Sequence, residues 1–251
     1  MKLARLPNGE PEIFHTLQGE GRSIGRPSIF IRSSFCNLYC QWCDTDYTWN
    51  WEGTPFAHAR DAERVGTKYS RAEQIVERSP REIAEAVSVY PTDHFVLTGG
   101  EPLLQSKEWI DVIHEIRICK AGATFEVETN GTIFPQRALV DEIERFNVSP
   151  KLAHSGVEEK ARIKPKALRS FAETDRADFK FVLSSPSDLE EIESLVETFQ
   201  IPRQRVFLMP AALSPDQLDR NQSWLSDLCL EHGYRFGDRL HLRLYGAKRG
   251  V

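Results

Sequence analysis

The stretch Ser33-Ser-Phe-Cys-Asn-Leu-Tyr-Cys-Gln-Trp-Cys-Asp-Thr-Asp-Tyr-Thr48 contains three cysteines within eight residues. Cys36, Cys40 and Cys43 have the spacing C-x3-C-x2-C, which allows three thiolates to converge on one soft metal centre. Iron–sulfur clusters are held by cysteine thiolates, usually four. The other two cysteines, Cys119 and Cys229, lie in segments with a helical pattern and are expected to be core residues. The spacing therefore suggests a [4Fe-4S] cluster with one iron free to bind a small molecule.

Two other uses of these cysteines have to be weighed. A structural zinc site usually has a second pair of cysteine or histidine ligands at a readable spacing, and only His58 follows, alone in a polar stretch. A disulfide would leave one of the three cysteines unmatched. The odd total of five cysteines, three of them clustered, favours a reducing cytoplasm over a secreted, disulfide-linked scaffold.

The composition is that of an ordinary globular protein. A chain of 251 residues can form one α/β barrel-like domain or two small ones, with a large core. The net charge of −5 provides no basic surface for nucleic acid, so RNA is not expected to be a direct substrate. No apolar run approaches the ~20 residues that span a bilayer, and residues 1–7 lack the apolar region of a signal peptide. We expect a cytoplasmic protein with no nucleic-acid or membrane partner.

Short apolar runs near residues 28, 95, 125, 147, 179 and 206 alternate with helical patterns. Repeated β–α units predict a parallel sheet, and six units are too few to close an eight-stranded barrel. We therefore predict an α/β fold, a partial (β/α)6 barrel open at one side, as a single domain over residues 1–251. It carries an irregular insertion at about residues 46–79, with a helix near 71–78, and a C-terminal strand and tail at about 240–251. A helix is also predicted from Pro135 through Phe146.

Polar and glycine-rich segments follow several of these strands. They are the cysteine loop, Thr98-Gly-Gly-Glu101, Glu128-Thr-Asn130, Ser149-Pro-Lys151 and Met209-Pro210. Ligands of α/β folds bind at the carboxyl ends of the strands, so these segments are expected to form one site. Arg32 lies in a short apolar run, and a buried arginine needs an anionic or acceptor partner.

The pattern C-x3-C-x-aromatic-C, with Trp42 as the aromatic residue, resembles the signature of the radical S-adenosylmethionine (SAM) enzymes. Further stretches are together similar to the 7-carboxy-7-deazaguanine synthases of queuosine biosynthesis: Glu12-Ile-Phe-His-Thr-Leu-Gln-Gly-Glu-Gly21, Gly25-Arg-Pro27, Arg32, Cys43-Asp-Thr45, Thr98-Gly-Gly-Glu-Pro102 and Ser149-Pro-Lys151. The resemblance runs from about residue 10 to the C-terminus and is weak only over residues 46–79. It implies the β6α6-type core of the radical SAM enzymes.

The resemblance also implies the cofactors and their sites. A [4Fe-4S] cluster is expected on Cys36, Cys40 and Cys43, and Mg²⁺ on Thr45 together with the substrate carboxylate. SAM is expected to bind residues around the cysteine loop and the strand ends, namely Trp42, Cys43, Asp44, Gly99, Gly100, Glu101, Glu128, Ser149, Pro150 and Lys151. No side chain is expected to act as a catalytic group, because the radical arises from SAM at the cluster.

The implied reaction is that of a lyase. The substrate is 6-carboxy-5,6,7,8-tetrahydropterin, which rearranges to 7-carboxy-7-deazaguanine with loss of ammonia. The residues expected to bind it are Leu17, Gln18, Gly19, Glu20, Arg32 and Thr98. The resemblance further implies a flavodoxin- or ferredoxin-type reductant and a homodimer.

Several plainer interpretations of single residues stand beside this one. Thr45 could cap its loop, Glu101 could hold a turn, and Glu128 could be an edge-strand carboxylate in solvent. Two other functions are also compatible with the cysteine loop: a glycyl-radical activase and a non-catalytic metal-binding module. The role of residues 46–79, and whether the C-terminal tail closes over the substrate, are not predicted by the sequence.

Overall fold

The computed structural model describes residues 1–62 and 68–251, and ten strands of these ranges form one sheet. The strands are β1 (Lys2–Ala4), β2 (Ile13–Leu17), β3 (Pro27–Ser33), β4 (Ile75–Glu77), β5 (His94–Gly99), β6 (Thr124–Thr129), β7 (Arg145–Val148), β8 (Ala177–Leu183), β9 (Val206–Pro210) and β10 (Arg235–Phe236). Strand β3 and strands β5 to β10 are parallel neighbours in chain order. The predicted parallel sheet is confirmed.

Helices connect most of the parallel strands. They are α1 (Arg71–Gln74), α2 (Pro80–Ser88), α3 (Ser106–Cys119), α4 (Arg137–Glu142), α5 (Glu159–Arg162), α6 (Pro165–Glu173), α7 (Leu189–Thr198), α8 (Pro215–His232) and α9 (Leu240–Tyr245). None of the helices in the two described ranges has both the length and the apolarity needed to cross a membrane.

The sheet does not close on itself. One of its edges is β10, and the other is formed by β4, which pairs antiparallel with β1. Strand β2 pairs antiparallel with β3 over Ile13–Leu17 and so begins the polar loop that follows. An open partial barrel was predicted, and this feature is confirmed.

The main core lies between the sheet and the helices that cover it. On α3 the side chains of Trp109, Val112, Ile113 and Ile116 are fully buried, at the spacing i, i+3, i+4, i+7 that marks one helix face. Burying each such side chain stabilises the fold by roughly 1.5–3 kcal/mol. This packing holds the parallel strands in place, and the strands in turn fix the loops at their carboxyl ends.

The predicted C-terminal strand over Leu240–Leu244 is wrong, because these residues form helix α9. The alternation of leucine with polar residues is typical of a strand, but a tertiary contact overrides it. Leu242 packs against Ala212 and Leu218 in a small apolar cluster of its own. The last strand is instead β10, which the sequence analysis missed.

The helix predicted from Pro135 through Phe146 is too long. Helix α4 ends at Glu142, and Ile143 is already extended, with φ −95° and ψ 127°. Phe146 lies on β7, where it pairs with Val127 of β6 and Ala177 of β8. The sheet therefore takes residues that the apolar pattern assigned to the helix.

The insertion at residues 46–79 is only partly irregular. It contains short 3-10 helices at Asp46–Thr48 and Ala59–Asp61. The helix predicted near 71–78 is confirmed only over Arg71–Gln74, because Ile75–Glu77 form strand β4. Part of this insertion, residues 63–67, lies outside the described ranges.

Candidate active site

One cavity of about 580 Å³ lies at the carboxyl ends of β3, β5, β6 and β7, where four of the five predicted segments meet. The fifth segment, Met209–Pro210, does not line it. All six predicted substrate residues line it: Leu17, Gln18, Gly19, Glu20, Arg32 and Thr98. So do eight of the ten predicted SAM residues: Trp42, Cys43, Asp44, Gly99, Gly100, Glu128, Ser149 and Lys151. Glu101 and Pro150 do not reach its surface. All four predicted metal ligands line it: Cys36, Cys40, Cys43 and Thr45.

The three clustered cysteines are unpaired thiols in this cavity. Burial raises the pKa of each of them, in the case of Cys40 to about 12. The nearby thiols add to this effect, since charge on Cys40 or Cys43 raises the pKa of Cys36 further. Buried thiols that oppose each other's ionisation are suited to a cationic metal centre, which stabilises their thiolate form.

The spacing of these sulfur atoms favours a cluster over a single ion. Among the described residues, only Asp46, His58 and Asp61 bring three candidate ligand atoms within 4.8 Å of one another. The three sulfur atoms are therefore spread more widely than the ligands of one tetrahedral zinc ion, whose bonds to sulfur are about 2.3 Å long. Cys119 is exposed, so its prediction as a core residue is wrong, whereas Cys229 is buried on α8 as predicted.

Strand β5 ends in two glycines because the cysteine loop lies directly against it. A Cβ atom on Gly100 would lie 2.4 Å from the carbonyl oxygen of Phe35, and one on Gly99 would lie 2.4 Å from that of Ser33. Phe35 itself has a left-handed backbone, with φ 77°, and its carbonyl accepts a 2.8 Å hydrogen bond from the Glu101 N–H. The glycines thus let the strand end and the first cysteine ligand pack together.

The side chain of Glu101 holds this turn. Its carboxylate accepts hydrogen bonds from the backbone N–H groups of Leu103 (3.0 Å) and Asn130 (2.7 Å) and from the Thr129 hydroxyl (2.8 Å). Burial raises the pKa of Glu101 to about 7, against the effect of these N–H donors. Both carboxylate oxygens accept hydrogen bonds from the protein itself, which supports the interpretation that Glu101 holds the turn.

The insertion braces the cysteine loop from outside the cavity. The His58 ring donates from Nε2 to the carbonyl oxygen of Cys43 at 2.8 Å, and Arg60 donates to the same oxygen at 3.0 Å. Arg60 also contacts the buried carboxylate of Asp46 at 2.7 Å. The ring of Phe56 stacks on that of Tyr39, with centroids 3.4 Å apart. These contacts give residues 46–62 a structural role that the sequence did not predict.

On the opposite wall, a buried cation joins two carboxylates. Lys180 donates to Glu20 at 3.0 Å and to Glu128 at 2.5 Å. Burial opposes ionisation of Glu20, but Lys180 and Arg239 outweigh it and hold the pKa of this carboxyl below its usual range. Burial raises the pKa of Glu128 to about 7, against the attraction of Lys180. Glu128 is therefore a partly buried member of the cavity, with 19% of its side chain exposed, and not an edge carboxylate in solvent.

The partner that Arg32 required is Glu12. The guanidinium Nε donates to this buried carboxylate at 2.7 Å, and the Tyr47 hydroxyl and Arg249 donate to it at 3.0 and 2.8 Å. Arg249 comes from the C-terminal tail, whose last residue, Val251, lines the cavity. The tail therefore lies against the site.

Comparison with known proteins identifies the family. Residues 30–160 match the model of the Radical SAM superfamily. Over 239 residues the chain is 36% identical to the 7-carboxy-7-deazaguanine synthase of Pyrobaculum aerophilum, with 95% of each chain covered. The chain belongs to the 7-carboxy-7-deazaguanine synthase family. The synthase of Halobacterium salinarum is also 36% identical, over 93% of this chain and 89% of the relative.

The fold of this family agrees with the structure described above. The crystal structure of QueE from Escherichia coli matches with a TM-score of 0.66 and 24% sequence identity, covering 96% of this chain and 95% of that one. Like other members of the radical SAM superfamily, the synthase uses a [4Fe-4S] cluster and SAM. The three free thiols and the backbone at Gly99 and Gly100 fit these cofactors.

Sequence reasoning missed several cavity residues, among them Lys180, Arg239 and His241. Lys180 lies within the apolar run of β8, and a charge in a buried strand is the signal that singled out Arg32, so it could have been found. Arg239 precedes the segment that was predicted as a strand and His241 lies within it, and no local pattern marked them as site residues.

Proposed function

We propose that the chain is a radical SAM lyase that converts 6-carboxy-5,6,7,8-tetrahydropterin to 7-carboxy-7-deazaguanine with loss of ammonia. The observation that carries this proposal is the single cavity, in which the three thiols lie with a polar wall suited to a flat ring with many hydrogen-bond donors and one carboxylate. The family's name for its members, 7-carboxy-7-deazaguanine synthase, supports the same reaction.

Glu20 and Arg32 are the proposed anchors of the substrate. Glu20 is kept ionised by Lys180 and Arg239, so it can accept hydrogen bonds from the aminopyrimidine part of the ring. Arg32 uses only Nε on Glu12, and within the described ranges its terminal nitrogens have no hydrogen-bond partner. They are thus available for the substrate carboxylate or ring acceptors.

The rest of the polar wall orients these anchors. The amide nitrogen of Gln18 donates to Glu126 and, at 3.2 Å, to Glu128, while its oxygen accepts from the Glu20 N–H at 3.3 Å. The carbonyl oxygen of Gly19 accepts a 2.9 Å hydrogen bond from the Leu240 N–H. We propose that Leu17, Gly19 and Thr98 complete the substrate side through their shape and backbone.

We propose that SAM lies along the cysteine loop at Trp42, Cys43 and Asp44 and along the strand ends at Gly99–Glu101, Glu128 and 149–151. When bound, the cluster and SAM would supply the chemistry that removes a hydrogen atom from C6 of the substrate. Lys151 donates to the Ser149 hydroxyl at 3.0 Å, and its ammonium lies 5.7 Å from the Trp42 ring centroid. These contacts would fix the SAM side of the cavity before the ligand enters.

Thr45 is the proposed Mg²⁺ ligand. Its side chain makes no capping hydrogen bond, and its hydroxyl contacts only the Cys43 sulfur, at 3.6 Å, among the described residues. A hydroxyl facing the cavity fits Mg²⁺, which binds oxygen ligands and keeps waters or substrate groups. Thr45→Ala should slow product formation while SAM still binds, and Thr45→Ser should retain activity. Full turnover by chelator-treated enzyme would remove Mg²⁺ from the proposal.

We also propose a flavodoxin- or ferredoxin-type reductant, a homodimer and a cytoplasmic location. The need for a one-electron donor follows from the cluster, and the five unpaired cysteines suit a reducing compartment. Size-exclusion chromatography with light scattering would test the dimer.

The reaction itself is tested by product mass. The reconstituted protein is incubated anaerobically with the carboxytetrahydropterin, SAM, Mg²⁺ and dithionite, with a Cys40→Ala variant as the control. We expect 7-carboxy-7-deazaguanine from the wild-type protein only. SAM cleavage without this product would reject the synthase reaction and favour a glycyl-radical activase, and no SAM cleavage by cluster-loaded protein would favour a non-catalytic module.

A further inference from the structure

One buried indole has no hydrogen-bond partner. Four of the five tryptophans donate from Nε1: Trp42 to His154, Trp51 to Tyr47, Trp109 to Pro102 and Trp224 to Asn221, at 2.9–3.3 Å. Trp49 is only 2% exposed, yet its Nε1 finds no partner among the residues that the structure describes. A buried N–H without an acceptor is costly. We therefore expect the indole to find an acceptor once the cofactors of the cavity are bound.

This indole is fixed at the wall of the cavity that holds the cysteines. The rings of Tyr39 and His58 pack edge-on against it, with centroids 5.5 and 5.9 Å away. The backbone N–H of Trp49 donates to the Asp46 carbonyl at 3.0 Å. The ring therefore has little freedom to turn toward another acceptor.

The candidate acceptor at this wall is the sulfur of Cys43. Both residues line the cavity, and in the chain only Asp44, Thr45 and the short helix Asp46–Thr48 separate them. Cys36 has a comparable donor, because the Leu38 N–H lies 3.4 Å from its sulfur. Trp49 would give Cys43 the equivalent contact once it is a ligand.

We propose that the Trp49 indole N–H donates a hydrogen bond to the Cys43 thiolate in the cluster-loaded enzyme and thereby raises the reduction potential of the cluster. Reduction adds one electron to the cluster, with no proton transferred, and so increases the negative charge on the ligand sulfurs. A hydrogen bond to such a sulfur stabilises the reduced state more than the oxidised state, which shifts the potential upward. The inference rests on the proposed ligation by Cys43.

The consequence for the enzyme concerns its electron donor. A cluster with a higher potential accepts an electron from a weaker one-electron reductant. Trp49 is then a positioning residue that acts through Cys43 and does not touch the substrate.

The test compares cluster potentials. The holoenzyme is titrated with dithionite, and the reduced cluster is followed by electron paramagnetic resonance. Trp49→Phe and site-specific replacement of Trp49 by benzothienylalanine, which keeps the shape but lacks the N–H, should both shift the midpoint to more negative values. Trp51→Phe is the matched control, because it removes another buried indole N–H of the same segment away from the cavity, and it should leave the potential unchanged.

A second measurement keeps the test decisive if the Trp49→Phe protein fails to take up iron. Electron–nuclear double resonance of the reduced wild-type cluster should detect a proton that exchanges in D₂O and is absent from the benzothienylalanine protein. An unchanged potential in the loaded analogue, with the same exchangeable proton, overturns the inference. Full cluster loading by Cys43→Ala would instead reject the proposed ligation, so the two failures are distinguishable.

Discussion

The ammonium group of Lys180 lies 3.0 Å from a carboxylate oxygen of Glu20, although 160 residues separate them in the chain. The same ammonium contacts Glu128 at 2.5 Å. Lys180 is 2% exposed, and its two carboxylate partners lie on the loop after β2 and on β6. This ion pair joins the loop after β2 to the centre of the sheet, and it keeps Glu20 charged for the substrate.

Lys180→Met should weaken both folding and substrate binding. The change leaves the partly buried Glu20 and Glu128 without their shared cation. Removing one partner of a buried ion pair costs about 3–5 kcal/mol, and we expect the lower end of this range because water still reaches both carboxylates. Denaturant unfolding measures the stability, and steady-state kinetics should show a raised KM. Lys180→Arg keeps the charge and is the control. A methionine variant within about 1 kcal/mol of the wild type would show that the pair is not needed.

Glu128 should make the stability of the cluster-free protein depend on pH. Burial raises the pKa of this carboxyl from 4.5 to about 7, so between these values the folded state holds more protons than the unfolded state. The free energy of unfolding must then fall as pH rises through this window. Glu128→Gln should reduce the slope by up to ~1.4 kcal/mol per pH unit, as measured by urea titrations from pH 4.5 to 7.5. An identical slope in the variant would contradict the assignment.

Arg32→Met should separate ring contraction from SAM cleavage. Loss of the charged hydrogen bonds to the substrate should cost a few kcal/mol in kcat/KM, on the order of the penalty for an unmatched charged group. SAM cleavage to 5′-deoxyadenosine should survive, because the cysteine loop and Gly99–Gly100 are unchanged. The measurement is product formed per SAM consumed. Arg26→Met, next to the same strand but outside the cavity, is the control, and equal ratios in both variants would move the substrate pocket elsewhere.

Each of Cys36→Ala, Cys40→Ala and Cys43→Ala should abolish the iron–sulfur absorbance and the activity. Cys119→Ala and Cys229→Ala should retain both, since neither cysteine lines the cavity. Iron content after anaerobic reconstitution is the measurement. Loss of the cluster in Cys119→Ala alone would mean that the ligand set is different.

Local patterns predicted much of the fold. The six parallel strands from β3 to β9 were predicted because each is a short apolar run bounded by turn residues, and a run of this kind identifies a buried strand without knowledge of its neighbours. The capping box of Ser79 and Glu82 at the start of α2 is local in the same sense, since both residues act within one turn. Helix α9 was missed because Leu242 packs against Leu218, which is distant in the chain, and a local pattern does not show such a contact.

The sequence by itself determined the cysteine spacing, the glycines at the end of β5 and the family to which the chain belongs, because these are properties of consecutive residues. Only the tertiary structure decided that Lys180 and Arg239 meet Glu20, that Glu12 holds Arg32, and that Trp49 and Cys43 line the same cavity. Each of these contacts joins different elements at the carboxyl ends of the strands. Their strength depends on burial and on partners brought together by folding, so no local pattern encodes them.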